Sequence, residues 1–135
     1  MTGKIFIQHR DKVVQRHVAQ CAIDLACEAY NITAGQVLRP GRSTAKISRA
    51  RQVAMYLAHV VGQLSMVQVS EEFSRDRSTV AHGLHMIEDR RDSPMFDQQI
   101  SFLEGEFESQ LMDLYRNWLS VSNYYHARLN RQDTG

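Results

Sequence analysis

The sequence predicts an all-α fold, and three observations lead to that prediction. Apolar side chains recur three and four positions apart along most of the 135 residues, which is the repeat of one helix face. The chain contains only 2 prolines and 7 glycines, too few for a turn-rich β fold or a disordered chain. Ser, Thr and Asn stand at the ends of several periodic stretches, where they cap helices. At this length we expect one domain, with or without an appendage.

Composition excludes several other classes of protein. The two cysteines, Cys21 and Cys27, are too few for a disulfide scaffold, and their spacing is not the C-x-x-C of a zinc knuckle or a redox pair. No apolar run reaches the roughly 18 residues that a membrane helix needs. The apolar stretch near the N-terminus is too short for a signal peptide. The expectation is a soluble, cytoplasmic protein.

The first predicted helices occupy residues 11–38. One apolar face defines a helix over 11–30, and its members are Val14, Val18, Cys21 and Leu25. Asn31 can end this helix in the left-handed conformation. Thr33 is placed to cap a short helical turn from Ala34 to Leu38.

A basic loop and a second strong helix come next. Pro40-Gly41 predicts a turn that opens a loop over 39–49. The interval 39–51 carries five cations and no acid: Arg39, Arg42, Lys46, Arg49 and Arg51. A helix over 49–63 follows, with an apolar stripe of Val53, Leu57, Val60 and Leu64. Because the whole chain has a net charge of only +1, this local concentration of cations is the better indicator of a nucleic-acid partner.

Residues 65–89 predict a short helix, a tight turn and a longer helix. Ser65 is a suitable N-cap for a helix over Met66–Phe73. After a polar connection, a helix begins at 76 or 77 and runs to about 89, with Val80, Leu84 and Ile87 facing the core. The opposite face is polar and consists of Arg77, Ser78, Ala81, His82 and His85. This succession is the helix-turn-helix arrangement.

The last third of the chain predicts an amphipathic helical extension. Ser93-Pro94 is a cap followed by a first-turn proline. A long apolar stripe follows over 96–118, and a short final helix is predicted after Ser120. The stripe either covers the core of the preceding domain or serves as a dimer or partner surface, since it follows a near-heptad course. The predicted organisation is a DNA-binding domain over 1–92 and an extension over 93–135.

Two stretches at constant spacing carry a resemblance to a known family. Residues 51–57 (RQVAMYL) resemble a helix of pattern R-Q-[IMV]-A-M-x-L, and residues 73–83 (FSRDRSTVAHG) resemble the signature F-G-G-R-D-H-T-T-V-x-H-A. Between them, residues 64–69 (LSMVQV) are similar to S-L-x-E-I. These motifs are those of the C-terminal DNA-binding domain of the bacterial replication initiator DnaA. The resemblance covers roughly residues 14–92 and implies the DnaA domain IV or Trp-repressor type of helix-turn-helix, here with an extra C-terminal helix.

The resemblance implies which side chains read bases. Asp76, Arg77 and Ser78 fall at base-reading positions, and Val67 falls where an apolar side chain touches a thymine methyl. The residue types are suited to base reading, since an aspartate accepts from cytosine N4 and an arginine reaches guanine O6 and N7. A threonine such as Thr79 hydrogen-bonds or presents its methyl.

The resemblance also implies contacts to the DNA backbone. Arg51 and Gln52 match phosphate contacts, His82 matches a further residue of that surface, and the basic loop matches the segment that enters the neighbouring minor groove. The complete predicted set is Arg39, Arg42, Lys46, Arg49, Arg51, Gln52, Arg75 and His82.

The sequence departs from the family pattern at several positions. Arg77 replaces the signature histidine, Ser78 replaces the first threonine, and Ser74 alone stands for the glycine pair, which predicts a tighter turn. Ser43 stands at the distance from residues 51–52 where the family has its loop arginine, and Arg42 is adjacent. No G-x-x-x-x-G-K-[ST] motif occurs in the 135 residues, so they contain no P-loop ATPase.

The expected function is sequence-specific binding of double-stranded DNA at DnaA-box-like sites, regulating replication initiation or transcription in the bacterial nucleoid. The alternative is a protein-binding modulator of DnaA or of its regulatory ATPase partner, with weak or vestigial DNA binding, and the segment 94–118 as partner or homodimer surface. We expect no enzymatic activity, no cofactor or nucleotide, and no membrane contact. Neither His82 with His85 nor His17 with Cys21 supplies enough converging ligands for a metal.

Overall fold

Six α-helices account for most of residues 12–133, the part of the chain that the computed structural model describes, with the backbone alone for 121–126 and 129–133. The helices are α1 (Lys12–Tyr30), α2 (Ala34–Leu38), α3 (Ala45–Val60), α4 (Met66–Phe73), α5 (Arg77–Arg90) and α6 (Pro94–Asp133). No strand occurs in this range. The all-α prediction is confirmed.

The core is organised around α3, which contacts each of the other five helices. Small residues on the facing sides of α1 and α3 are buried and let the two helices approach closely, namely Ala19, Ala22, Ala26, Ala50, Ala54 and Ala58. The largest fully buried side chains include Phe73 from α4 and Phe107 from α6. Full burial of one such side chain contributes about 1.5–3 kcal/mol, so the short α4 is held by its two buried residues, Val69 and Phe73.

Polar residues define the helix boundaries as the sequence predicts. Thr33 and Ser65 each form a capping box with the glutamine three residues later. Asn31 is left-handed at φ 54° and ends α1. These three boundaries are the predicted ones, because a hydroxyl that accepts an N–H of the first turn satisfies a group that otherwise has no partner.

Three helix ends differ from the prediction. Helix α3 ends at Val60, not at 63, and Leu64, predicted on its apolar stripe, lies beyond its end. Helix α3 begins at Ala45, not at 49, because Thr44 acts as its N-cap and accepts from the Ile47 N–H at 3.3 Å. The basic loop therefore spans 39–44, and Lys46 and Arg49 lie on a helix. Helix α6 continues unbroken to Asp133, so the separate final helix predicted after Ser120 is wrong. A serine within a helix costs too little to interrupt it.

Helix α6 packs against α1 and α3 over its first half. Ile100, Leu103, Phe107 and Leu111 are buried in the common core, so the apolar stripe covers the core as far as Leu111. Leu114 is half-buried against the same core, and beyond it the stripe becomes exposed, with Trp118 51% accessible. No helix in the described part of the chain has both the length and the apolar character needed to cross a membrane.

Candidate nucleic-acid interface

The N-terminal end of α5 is the most exposed polar edge of the helix-turn-helix. Asp76 is the N-cap residue, and its side chain makes no capping hydrogen bond. Arg77, Ser78 and Thr79 are exposed, whereas Val80, directly after them, is fully buried. The structure thus brings four of the predicted base-reading residues together on one outward-facing turn. Val67, the fifth, is 47% exposed in the first turn of α4.

Helix α5 is seated tightly on α3 through Gly83. A Cβ atom added there would lie 2.8 Å from Met55 Cε and 3.3 Å from Gln52 Cγ. Val80 and Ile87 are fully buried on the same side of α5, and Leu84, predicted beside them, is half-buried. This contact fixes the direction in which α5 projects. Of the predicted backbone-contact residues nearby, Gln52 is half-buried and His82 is exposed.

The turn between α4 and α5 has the predicted length but no glycine. Ser74 is left-handed, at φ 51° and ψ 49°, and its N–H donates to the Glu71 and Ser70 carbonyls. The Arg75 N–H donates to the Ser70 carbonyl at 3.1 Å, and the Ser70 hydroxyl donates to the Arg75 carbonyl. A serine thus adopts the conformation that favours glycine, and the reciprocal Ser70–Arg75 pair supports the strained backbone.

Arg75 joins this turn to the basic loop. Its Nη2 donates to the Arg39 carbonyl at 2.8 Å, and its Nη1 donates to the carbonyls of Phe73 and Ser74 at 3.1 and 3.3 Å. One guanidinium therefore bridges elements that are 36 residues apart in the chain. The basic loop is therefore held beside the N-terminal end of α5, its leading end.

Arg51 differs from its expected place on the surface. Its residue is only 8% exposed; Nε donates to the Val37 carbonyl at 2.7 Å and Nη1 to Ser43 Oγ at 3.3 Å. Nη2 is buried and has no hydrogen-bond partner among the residues that the structure describes. Ser43, which stands near the family's loop arginine in the sequence, thus serves as an internal acceptor. No sequence pattern announces this arrangement, since the partners lie 8 and 14 residues away.

The remaining predicted cations have no acidic partner among the described side chains, but they do not share one end of α5. Arg39 is tied to the turn before α5, whereas Arg49 lies near Phe96 and Arg90, toward the C-terminal end of α5. Arg39, Arg42 and Lys46 are exposed, and Arg49 is half-buried with its guanidinium carbon 5.9 Å from the centre of the Phe96 ring. Among the described side chains, the ion pairs closer than 4.0 Å include none of these four, nor Arg51, Arg75 or Arg77.

Burial and neighbouring positive charges both act on the pKa of Arg49 and Arg51. Burial, and then the charge of Arg75, lower the pKa of Arg51, and burial with the charge of Arg90 lowers the pKa of Arg49. Both groups remain cationic at neutral pH, because the ordinary pKa of an arginine lies far above neutrality. The surface therefore keeps an uncompensated positive potential, which attracts a polyanion.

An exposed helix end, a supporting helix across a three-residue turn, and a margin of unneutralised cations define a helix-turn-helix domain of the DNA-binding class. The family described as bacterial dnaA protein helix-turn-helix matches residues 19–87, just over half of the chain. The protein belongs to this DnaA helix-turn-helix family. The family's domain binds DNA and is not catalytic.

Individual DnaA proteins are similar in sequence to this chain. The chain is 34% identical over 79 residues to the chromosomal replication initiator protein DnaA of Thermoanaerobacter sp. strain X514, covering 58% of this chain and 18% of that protein. It is 39% identical over 61 residues to DnaA of Caldanaerobacter subterraneus subsp. tengcongensis, covering 45% of this chain and 14% of that protein. The chain thus spans less than a fifth of the length of these relatives.

Solved structures share the fold. A crystal structure of a DNA replication initiation factor superposes with a TM-score of 0.68 at 24% identity, covering 75% of this chain and 31% of that chain. The AMPPCP-bound DnaA from Aquifex aeolicus superposes with a TM-score of 0.64 at 21% identity, covering 76% of this chain and 31% of that chain.

Proposed function

We propose that this protein binds double-stranded DNA sequence-specifically, at sites resembling the DnaA box, and that it thereby regulates replication initiation or transcription. One observation carries the proposal: the outward turn formed by residues 76–79 on top of the buried Val80. A recognition helix must offer its N-terminal residues to base edges while its opposite face is anchored.

Base reading is assigned to the five exposed side chains at this end. Arg77 reaches guanine O6 and N7, and the uncapped carboxylate of Asp76 accepts from cytosine N4. Ser78 and Thr79 are short enough for close approach to the groove floor. Val67 covers a thymine methyl from the first turn of α4.

Backbone contacts are assigned by exposure. Arg39, Arg42, Lys46 and His82 reach phosphates directly, with the loop residues also near enough to the duplex edge for the minor groove. Gln52 and Arg49 contribute from their half-buried positions on α3. Arg75 and Arg51, also predicted to contact phosphate, serve chiefly by holding the loop in place through carbonyl oxygens.

Fluorescence anisotropy with a DnaA-box duplex and a scrambled duplex, at several stated salt concentrations, tests this function. Arg77→Ala and Ser78→Ala should each reduce discrimination between the duplexes by about 1–3 kcal/mol. Arg42→Ala should weaken both duplexes together and reduce the salt slope by roughly one phosphate's share. Arg116→Ala is the matched control, because Arg116 is an exposed arginine on α6 that has no part in the proposed DNA contacts. Equal, weak binding of the wild-type protein to both duplexes would refute box recognition.

The alternative function, a protein-binding modulator of DnaA or its regulatory ATPase partner, makes a different prediction. Such a complex would survive nuclease treatment and would not respond to Arg77→Ala. A pull-down with DnaA, with and without nuclease, therefore separates the two functions. If the nuclease abolishes the complex, the two proteins are joined only through DNA, which favours the DNA-binding function.

A further inference from the structure

Helix α6 is much longer than its contact with the domain. Its 40 residues extend about 60 Å at 1.5 Å per residue, but the last residue buried in the core is Leu111. Residues 112–133 continue for about 33 Å. Within this part, Trp118 is exposed and stacks on Tyr115 with ring centres 6.3 Å apart. Helices in proteins owe most of their stability to tertiary packing, so a helix of this length predicts a surface that covers it.

Charge divides α6 into two opposite halves. Residues 94–113 contain five acids and no base: Asp97, Glu104, Glu106, Glu108 and Asp113. Residues 114–132 contain three arginines and no acid: Arg116, Arg128 and Arg131. Arg116 pairs with Asp113 at 3.6 Å, but both side chains are largely exposed, and a pair of this kind contributes little. A helix divided in this way complements a second copy of itself in the antiparallel direction.

A groove beside the acidic half of α6 has an apolar and negatively charged lining, which is complementary to the basic, aromatic half. It lies between the end of α1 and α6, and its volume is about 750 Å³. Leu25, Ala29 and Leu103 contribute apolar surface, and Glu28 and Glu106 contribute negative charge; none of the described side chains that line it is a lysine or arginine. Phe102, also in the groove, is 66% exposed, which is unusual for a phenylalanine without a partner.

We propose that two copies of this chain form an antiparallel dimer in which the basic, aromatic half of each α6 occupies the groove of the other copy. The groove follows α6 from Met95 to Gln110, about 24 Å. The segment 116–131 has the same number of residues and carries the three arginines. An antiparallel pair centred near residue 113 therefore places each basic half over an acidic half, and the interface closes on itself as a two-fold contact must.

The composition of the contributing segments is typical of interfaces. Tyrosine, tryptophan and arginine are the residues enriched in contact surfaces, and Tyr115, Trp118 and Arg116 lie together in the exposed part of α6. Pairing of the two acidic halves with each other would instead bring like charges together. This dimer leaves α5 and the basic loop uninvolved, so it does not depend on the proposed DNA binding.

Analytical ultracentrifugation of the full chain over a range of concentrations tests the dimer, together with the emission of Trp118, the single tryptophan. The expected result is a monomer–dimer equilibrium that weakens with salt and a blue shift of Trp118 emission on association. The double charge reversals Glu28→Lys/Glu106→Lys and Arg116→Glu/Arg128→Glu should each weaken self-association about tenfold or more. Mixing the two variants should restore a dimer, since the charges are again complementary.

Two controls keep the test decisive. Arg16→Glu, an exposed reversal on α1, should leave the equilibrium unchanged, and circular dichroism should show that each reversal variant keeps its helix content. A wild-type protein that stays monomeric at all concentrations overturns the proposal. So does a dimer that is insensitive to both reversals, or an assembly larger than two, because a closed two-fold interface admits no third copy.

Discussion

Three arginines hold this domain together, two on one side and one on the other, and the two sides use different acceptors. On the side of the leading end of α5, Arg51 and Arg75 donate to carbonyl and hydroxyl oxygens, all of them neutral. On the opposite side, Arg91 donates to Asp97 at 2.6 Å and to Glu104 at 3.0 Å, with further bonds to Tyr56 and Ser101. Each arginine is structural, but only Arg91 is neutralised.

The pKa values follow the same division. Burial lowers the pKa of Arg51, and the neighbouring charge of Arg75 lowers it further. For Arg91, burial also acts to lower the pKa, but hydrogen bonds to Asp97 and Tyr56 outweigh it and raise the pKa above its ordinary value. A carbonyl acceptor thus lets an arginine tie a loop without removing its charge from the surface. Where a duplex is to dock, that difference preserves the attraction.

The largest expected effect is on the neutralised side. Arg91→Met should lower the free energy of unfolding by about 2–3 kcal/mol, because it leaves two carboxylates and a tyrosine hydroxyl without their donor. DNA affinity should hardly change. Urea unfolding measures the first quantity and anisotropy the second. Arg116→Ala, which removes only an exposed ion pair, is the control and should cost less than about 0.5 kcal/mol. Equal costs for the two variants would contradict the comparison.

The opposite pattern is expected for Arg51→Met. The lost bonds are to neutral acceptors, and the substitution also removes the unpartnered Nη2, so unfolding should change by only about 1 kcal/mol. Affinity for box and scrambled duplexes should fall together, by about tenfold, as the loop cations lose their position. Arg51→Lys keeps the charge but cannot bridge Val37 and Ser43. If the lysine variant binds as the wild type does, charge rather than loop geometry is responsible.

The sequence predicts most of the fold because its strongest signals are local. Caps at Thr33 and Ser65 lie within three residues of their partners, and the faces of α1 and α5 repeat regularly. The longer arginine ties could not be predicted, since Arg51, Arg75 and Arg91 bind partners between 6 and 36 positions away with no periodic relation. Thr44 indicates the earlier start of α3, because threonine is a common N-cap. The run of cations that follows it is instead typical of a solvated loop. The exposed turn at 76–79 is predictable because the apolar positions that follow it in α5 recur at helical spacing and are buried.

A smaller effect should separate the caps of α4 and α5. Ser65→Ala removes a capping box and should cost about 1 kcal/mol of unfolding free energy. Asp76→Ala removes no capping bond and should cost less than half of that, chiefly a helix-dipole interaction. Discrimination between duplexes should respond in the reverse order. Thermal unfolding and anisotropy of the two variants provide the comparison, and a larger stability loss for Asp76→Ala would show that its carboxylate does cap α5.

The smallest effect concerns the thiols of Cys21 and Cys27, both of which lie on α1. Burial, followed by the charge of Asp24, raises the pKa of Cys21 and Cys27 above the ordinary 9.0. The fold therefore favours the protonated thiols. This contribution is complete below pH 9.0 and is lost as the pH rises through the higher folded-state values. Urea midpoints from about pH 7 to pH 10 should fall more steeply for the wild type than for a Cys21→Ala/Cys27→Ala variant. Parallel curves would exclude the thiols as the cause.

Gly83 has a consequence for how this sequence can change over time. The related signature has alanine at this position, but here the space for a methyl group is taken by the end of the Met55 side chain, 2.8 Å from where the Cβ would be. An alanine at 83 is acceptable only if the flexible thioether moves aside. Because the family pattern combines this alanine with a methionine at the position of Met55, a Gly83→Ala change is expected to be accommodated by a shift of the Met55 side chain, without a second substitution at 55.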